Sequence, residues 1–414
     1  MPVLMGLFSG GLLILPPGLT GTTQILEHTI FVNFIPDTIQ NRYYRSPLTT
    51  PLNFSYISIF PNLKETKKST DMTTTKEDLA RYLNTPLSIG NKTIPNRMVL
   101  APMAGLGHIA LRELISEFGG FGLLFTGMCS ARAVPHENPA ISNVFTWRQA
   151  ELSFLVCQIF GSEPESMALA ARRIEAEGFF GVDLNFGCSV AAICKKGCGA
   201  ALLKTPDLAV EIVASVRQAV ACPVFVKFRT GWENNPQLAV DMAKRFEDAG
   251  VDALTFHPRV APDRRNRPPR WEIITRVNDA VSIPVFGNGN LFNVSDGIKM
   301  MDQTGCQGLS LGRMAVSRPW IFSQWTKGFV PGDDIYHFTA LRLTHLLSRH
   351  FDDHFAVKMF KKFAPYFCAN FKFSQAILKK LIKADTMAEI CINIDHLLKP
   401  PPQTLKTPNL TLFV

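Results

Sequence analysis

Acidic residues, cysteines and long apolar runs are all scarce in this chain, and each shortage removes a class of explanation. The 414 residues include 34 Asp and Glu against 43 Lys and Arg, a formal net charge of +9 at pH 7 and a pI of about 9.1. That balance keeps a polyanionic partner such as nucleic acid in play, because neutralising phosphates releases condensed counterions. Nine cysteines are too few, and too irregularly spaced, for the disulfide framework of a small secreted domain, so a reduced, cytoplasmic protein is expected. Apolar stretches fall short of the roughly 20 residues of a membrane span. The opening MPVLMGLFSGGLLILPPGL is broken by Gly and Pro, and the first basic residue is Arg42, so a signal peptide's charged leader is missing and no membrane anchor is expected. With 46% hydrophobic and 19% charged residues the composition is globular. No feature demands an oligomer, and a monomer is expected.

Residues 1–71 show no clear periodicity, are rich in Thr, Pro, Asn and Phe, and carry almost no basic residue before LKETKKST. They are expected to form a poorly ordered extension, with functional translation beginning near Met72. After Met72 the run TTTKEDLARYL supplies residues suited to a helix start. From residue 97 a rhythm appears: RMVLAPMAG, GLLFTGM, FLVCQIFG, GVDLNFG, PVFVKFRTG, ALTFHPR, PVFGNG and GLSLGR. These eight runs suit strands buried on both faces. Helical patterns such as ESMALAARRIEAEG and PQLAVDMAKRFEDAG lie between them, each ending at a glycine suited to a helix C-cap. Eight strand–helix units over about 220 residues predict an α/β fold, an eight-stranded (β/α)8 TIM barrel, spanning 72–330. A doubly wound sheet is the runner-up, but its first turn usually carries GxGxxG, and here the first strand ends in PMAG. Helical patterns without strands then predict an all-helical domain over 331–398 bearing Lys358, Lys361, Lys362, Lys372, Lys379, Lys380 and Lys383. The Pro-rich 399–414 reads as a disordered tail.

In a barrel the C-terminal strand ends converge on one mouth, where active sites lie. The fourth run leads to LNFGCSVAAICKKGCG, whose cysteines are separated by five and three residues with no histidine nearby, which is not zinc spacing; no metal is expected. Cys188, following Asn185 and Gly187, stands at the mouth, whereas Cys194 and Cys198 read as semi-buried filler. Lys227 and Arg229 on the fifth strand are costly to bury unless an anionic or electron-rich ligand meets them, and His257 on the sixth is similar. Asn288, Gly289 and Asn290 after the seventh strand, with Gly312 and Arg313 after the eighth, sit where barrels bind phosphate. The loop PRVAPDRRNRPPRW places Arg259, Arg264, Arg265, Arg267 and Arg270 beside that mouth, which suits phosphates of a large polyanion or, more blandly, a solvated loop.

Taken together, LAPMAG, VCQIFGSEPESMALAA, VDLNFGC with GCGAALL, VFVKFRTGW, FHPR, Trp271, IPVFGNGN and TGCQGLSLGR resemble the tRNA-dihydrouridine synthase family from about Asn96 to Phe329, with a weaker echo through the helical segment. The resemblance implies a bound FMN lying against Pro102, Met103 and Ala104, with Gln158 and Lys227 at the ring edge. Its phosphate would meet Asn288, Gly289, Asn290, Gly312 and Arg313, and His257 would face the flavin or its ribityl phosphate. It also implies Cys188 as proton donor to carbon 5 of uracil, Asn185 holding the base, Arg229 and Arg259 on the tRNA side, and NADPH or NADH as reductant. Departures from the family pattern are Ser189 for Pro, Asn290 for Asp, Gly127 for Glu, Ala191 for Lys, and arginines in the sixth loop. Two other readings stay open: an ene-reductase of the old yellow enzyme type acting on small molecules, and a tRNA-binding flavoprotein without catalysis.

Overall fold

In a computed structural model of the protein, the described residues are 75–263 and 267–413. The expected extension 1–71, the proposed start at Met72, and Arg264 and Arg265 lie outside them. The described part falls within one compact unit, Lys68–Val414.

Helix α1 (Lys76–Leu83) begins where its side chains dictate, with the Thr75 hydroxyl accepting from the Asp78 amide. A hairpin follows, β1 (Leu87–Ile89) and β2 (Lys92–Ile94), turned by Gly90 at φ +56. The eight apolar runs then become strands. They are β3 (Met98–Leu100), β4 (Leu124–Phe125), β6 (Leu155–Phe160), β7 (Gly181–Phe186), β8 (Val224–Gly231), β9 (Ala253–Val260), β10 (Val285–Asn288) and β11 (Gly308–Leu311). A short β5 (Cys129–Ser130) extends the edge of β6. All the pairings among these strands are parallel, in the order β3-β11-β10-β9-β8-β7-β6-β4. A parallel bridge between Val99 and Leu123 joins the two ends, so the sheet is the expected eight-stranded barrel.

Alternation along each strand divides the barrel interior into layers. Val99, Leu123, Phe125, Val156, Phe225, Ala253 and Phe286 form one apolar cluster with Leu87, Ile89 and Ile94 of the hairpin. The hairpin therefore plugs the N-terminal end of the barrel, where Lys92 Nζ also donates to the Phe180 carbonyl just before β7. Each fully buried Phe in this plug contributes up to about 3 kcal/mol. Two residues further along the same strand faces the side chains are polar: Gln158, Lys227, Thr255 and Asn288. Apolar packing thus closes one end and leaves chemistry to the other.

The outer helices include α2 (Ile109–Phe118), α3 (Pro164–Ala176), α6 (Pro236–Asp248) and α8 (Val294–Thr304), with α4 (Ala191–Cys194), α5 (Pro206–Ala219) and α7 (Glu272–Ala280) between them. After β11 come α9 (Arg313–Ser317) and α10 (Ile321–Thr326), then the helical region α11 (Ile335–His350), α12 (Asp353–Cys368), α13 (Ser374–Leu381) and α14 (Met387–Leu398). That region packs back onto the barrel: Arg342 pairs with Glu117 of α2 at 2.6 Å, and Phe338 meets Phe118 edge-on at 6.4 Å.

The tail is a correction. Residues 399–413, expected to be disordered, are fixed on the junction of α12 and α13. Phe371 and Thr404 form an antiparallel bridge, Lys372 N donates to Gln403 O at 2.9 Å, and Leu405 N donates to Asn370 O at 2.7 Å. Leu412 and Phe413 are buried at its end. Composition registers the prolines but not the apolar anchors that follow them, and the anchors decide the outcome.

Candidate active site

The mouth is built from the polar ends of the strands. On β6 and β7, Gln158 Nε2 donates to Asp183 Oδ2 at 2.5 Å, and Asn185 Nδ2 donates to Gln158 Oε1 at 2.8 Å. Asn185 Oδ1 in turn accepts from the amides of Gly187 (3.2 Å) and Cys188 (2.9 Å). The amide of Asn185 is therefore engaged at both ends, and it sets the backbone on which Cys188 stands. The Cys188 carbonyl receives the Ala200 amide at 2.8 Å, and Arg229 Nε holds the Gly187 carbonyl at 2.7 Å. Arg229, expected on the substrate side, braces the thiol's loop. Cys188 itself is half-buried; Cys194 lies beside it with its Sγ on the Cys188 carbonyl, and Cys198 is buried.

Lys227 on β8 lies opposite Asn185 in register and has no hydrogen-bond partner among the described residues. Burial, with Arg229 adding repulsion, lowers its pKa to about 8, against the opposing pull of Asp183 and Cys188. Burial raises the Asp183 carboxyl to about 7, although Gln158 and Lys227 both favour its ionised form. Asp183 Oδ1 is buried without a partner. Sequence reasoning passed over this residue; the signal was an acid inside an otherwise apolar run.

Around β9 to β11 positive charge dominates, from Arg229, Lys227, Arg259 and Arg313. Burial, then the charges of Arg229, Lys227, Arg259 and Arg313, hold His257 well below its ordinary value, so its ring is neutral. Arg259 Nη2 and Arg313 Nη2 both donate to one oxygen, Asn290 Oδ1, at 3.1 and 3.0 Å. Arg259 is 2% exposed, its Nε is unpartnered, and burial together with Arg313 and Arg229 lowers its pKa to about 10. Arg259, expected on the tRNA side, joins Arg313 in one cationic cradle. Two guanidinium groups on a single neutral oxygen call for an anion.

The turn beneath that cradle is made for close approach. Gly289 has φ +124, and a Cβ there would lie 3.0 Å from His257 Cδ2 and 3.1 Å from Pro269; Asn290 follows at φ +55. Trp271 Nε1 fixes the turn by donating to the Gly289 carbonyl at 3.0 Å, and Asn288 Nδ2 ties β10 to β11 through the Ser310 carbonyl at 2.7 Å. Ser310 Oγ is buried and unpartnered. Pro102, Met103, Lys227, His257, Asn288, Gly289, Asn290, Gly312 and Arg313 line one common cavity. The loop carrying Pro102, Met103 and Ala104 is set by Arg112, which donates to Gly107 O at 2.6 Å and pairs with Glu151 at 2.7 Å, both side chains fully buried. Gln158 on β6 and Cys188 on the loop after β7 stand beside that cavity rather than in its lining.

Of the arginine-rich loop, Arg267 pairs with Asp263 at 2.9 Å and Arg270 meets Asn234. From the helical region, Lys362 reaches the opposite rim: a Cβ at Gly105 would lie 2.5 Å from its Nζ. Lys358, Lys361 and Lys362 share a surface groove with His354. Among the described residues no helix is long and apolar enough to cross a membrane.

Residues 99–388 match the dihydrouridine synthase family model. The probable tRNA-dihydrouridine synthase 1 of Synechocystis sp. is 34% identical over 250 residues, 60% of this chain and 69% of that protein. The tRNA-dihydrouridine synthase B of Pseudomonas aeruginosa is 34% identical over 288 residues, 68% of this chain and 86% of that protein. Among solved structures, a 2-naphthoyl-CoA reductase complex overlaps with a TM-score of 0.48 and 14% identity, covering 62% of this chain and 53% of that one. The chain belongs to the dihydrouridine synthase family, flavin-dependent oxidoreductases that act on tRNA uridines.

Proposed function

We propose that this chain reduces the 5,6 double bond of specific tRNA uridines with FMN as the bound flavin and NADPH or NADH as reductant, working in the cytoplasm as a monomer. The observation that carries the reading is the composition of the mouth: a thiol loop after β7, a partnerless lysine beside it on β8, and a two-arginine cradle formed by β9 and α9.

The residues present fit a phosphorylated flavin. Arg259 and Arg313 supply the charge for a phosphate, the turn at Asn288, Gly289 and Asn290 with Gly312 supplies close backbone approach, and Arg259 Nε and Ser310 Oγ are buried polar atoms that still lack partners. In this reading Pro102, Met103 and Ala104 lie against the ring, with Gln158, Lys227 and neutral His257 at its edge. The bound flavin supplies the electron pair that reduces the uracil double bond. Lys227 stabilises negative charge at the ring edge, and its lowered pKa follows from the same burial that makes a nearby anion favourable.

Cys188 gives its proton to carbon 5 of the base, a step suited to a thiol near neutral pH. Asn185 acts through the loop that presents this thiol, a narrower role than holding the base directly. The uridine must leave the tRNA stack to reach the mouth. Arg267 on one rim and Lys358, Lys361 and Lys362 on the other then meet phosphates, which position the RNA without reading its sequence. An ene-reductase acting on small molecules has no use for charge on both rims. Deleting the gene in its host and measuring dihydrouridine in tRNA by mass spectrometry tests the reading: loss at one or more positions is expected, and unchanged levels at every position would overturn it.

A further inference from the structure

The mouth holds a buried acid that the chemistry assigned above does not use. Asp183 on β7 is 0% exposed and lies in register between Gln158 on β6 and the apolar Phe225 on β8. A carboxyl so placed is costly to bury, and its Oδ1 has no partner. Its other oxygen begins a chain. Gln158 Nε2 donates to Asp183 Oδ2 at 2.5 Å, Asn185 Nδ2 donates to Gln158 Oε1 at 2.8 Å, and Asn185 Oδ1 accepts the amides of Gly187 and Cys188 at 3.2 and 2.9 Å. Met128 Sδ lies 3.7 Å from the same Asn185 Nδ2 and takes its second hydrogen. Three side chains from two strands thus connect a buried carboxyl to the backbone of the thiol.

Each link of that chain admits one direction. A backbone N–H only donates and an ionised carboxylate only accepts, whereas a side-chain amide does either, depending on which way it is turned. The Cys188 amide demands the oxygen of Asn185, which turns Nδ2 toward Gln158 and requires the oxygen of Gln158 there. Gln158 then faces position 183 with a donor, and only an acceptor completes the chain. We propose that Asp183 is a positioning residue for Cys188: through Gln158 it fixes which way the Asn185 amide is turned, and with it the loop on which the thiol stands. This rests on reading Cys188 as the proton donor to the base. An apolar residue at 183 would suit the inner layer of the barrel better, and an amide there could be turned either way. Lys227 on the adjacent strand favours the ionised form, against the burial that raises the carboxyl. A proton taken up at the partnerless Oδ1 leaves Oδ2 accepting, so the chain keeps its direction when this acid titrates.

The test reads the thiol first, without flavin or tRNA. Alkylation of the apoprotein by iodoacetamide is followed residue by residue with mass spectrometry in wild type, Asp183→Leu, Gln158→Glu and the double variant Gln158→Glu/Asp183→Asn. Cys391 of α14, which sits against Thr344 of α11, reports any general loosening. Asp183→Leu removes the acceptor, and Gln158→Glu sets two carboxylates face to face above neutral pH. Each frees the loop by about one net hydrogen bond, so Cys188 should react about three- to tenfold faster while Cys391 keeps its rate. The double variant places one carboxylate between two amide donors, and Cys188 should return to within about twofold of the wild-type rate. In single-turnover reactions of the FMN-loaded chain, Asp183→Leu should slow uridine reduction about tenfold or more, so the thiol becomes more open to a small reagent and less effective on the base. Equal acceleration at Cys188 and Cys391, an unchanged Cys188 rate in Asp183→Leu, or a double variant no closer to wild type than Gln158→Glu would overturn the proposal. Should Asp183→Leu fail to fold, the comparison of Gln158→Glu with the double variant decides. A wild-type chain that reduces no uridine would instead overturn the functional reading, with the alkylation rates still judging the chain of hydrogen bonds.

Discussion

Cys188 stands at the mouth because Asn185 fixes the backbone that presents it. That division of labour predicts different failures. Cys188→Ala should keep flavin and tRNA binding but lose turnover by about a hundredfold or more. Asn185→Ala should misplace the thiol and also release Gln158 from its hydrogen bond. Cys194→Ala should leave turnover near wild type; a loss as large as that of Cys188→Ala, measured in single-turnover reactions, would contradict the assignment. Asp183 makes a prediction in pH. Burial raises its folded pKa from 3.8 to about 7, so protonated Asp183 favours the fold at acid pH. That contribution is fully present below the unfolded value and is lost as pH rises to about 7. Urea unfolding of the apoprotein should therefore show Asp183→Asn gaining relative stability over wild type across that interval, and a gap between the two that stays flat with pH would contradict it. Cys188, Lys227 and Arg313 were legible in the sequence because strand ends of a barrel must converge. Asp183 was not, since its partners Gln158 and Lys227 come from other strands. The contacts of Arg229 and Arg259 were not legible for a like reason: nothing local reveals that one grips a carbonyl across the sheet and the other an asparagine 31 positions away.

At the scale of elements, parallel strands buried on both faces leave an unmistakable pattern of short apolar runs, and all eight were readable. The strap 399–413 was not, because its order comes from contacts with α9, α12 and α13 that no local composition encodes. The hairpin's role in plugging the barrel was hidden likewise, since Leu87, Ile89 and Ile94 acquire meaning only beside Phe125 and Phe225. Two expectations follow at this scale. Glu151→Ala strands the fully buried Arg112 that sets the Met103 loop, and should cost about 3–5 kcal/mol in chemical denaturation. Replacing Lys358, Lys361 and Lys362 together by glutamate should weaken tRNA binding and flatten its salt dependence while leaving FMN affinity intact; filter binding across salt concentrations reads this out. A triple variant that binds tRNA like wild type would place the RNA elsewhere.

For the molecule as a whole, the proposed reading gives a mouth rich in positive charge two anions to serve at different depths. Buried Arg259 with half-buried Arg313 suits a small phosphate, and the exposed charges of Arg267 and of α12 suit an extended backbone. Departures from the family pattern, Ser189 and Asn290 among them, leave the thiol, the lysine and the cradle in place. The most direct test is to incubate the purified, FMN-loaded chain with NADPH and unmodified tRNA, and follow uridine by mass spectrometry. The account predicts uridines that gain the mass of two hydrogens with the wild-type chain and almost none with Cys188→Ala. A chain that holds flavin and consumes NADPH yet leaves every uridine unreduced would contradict it.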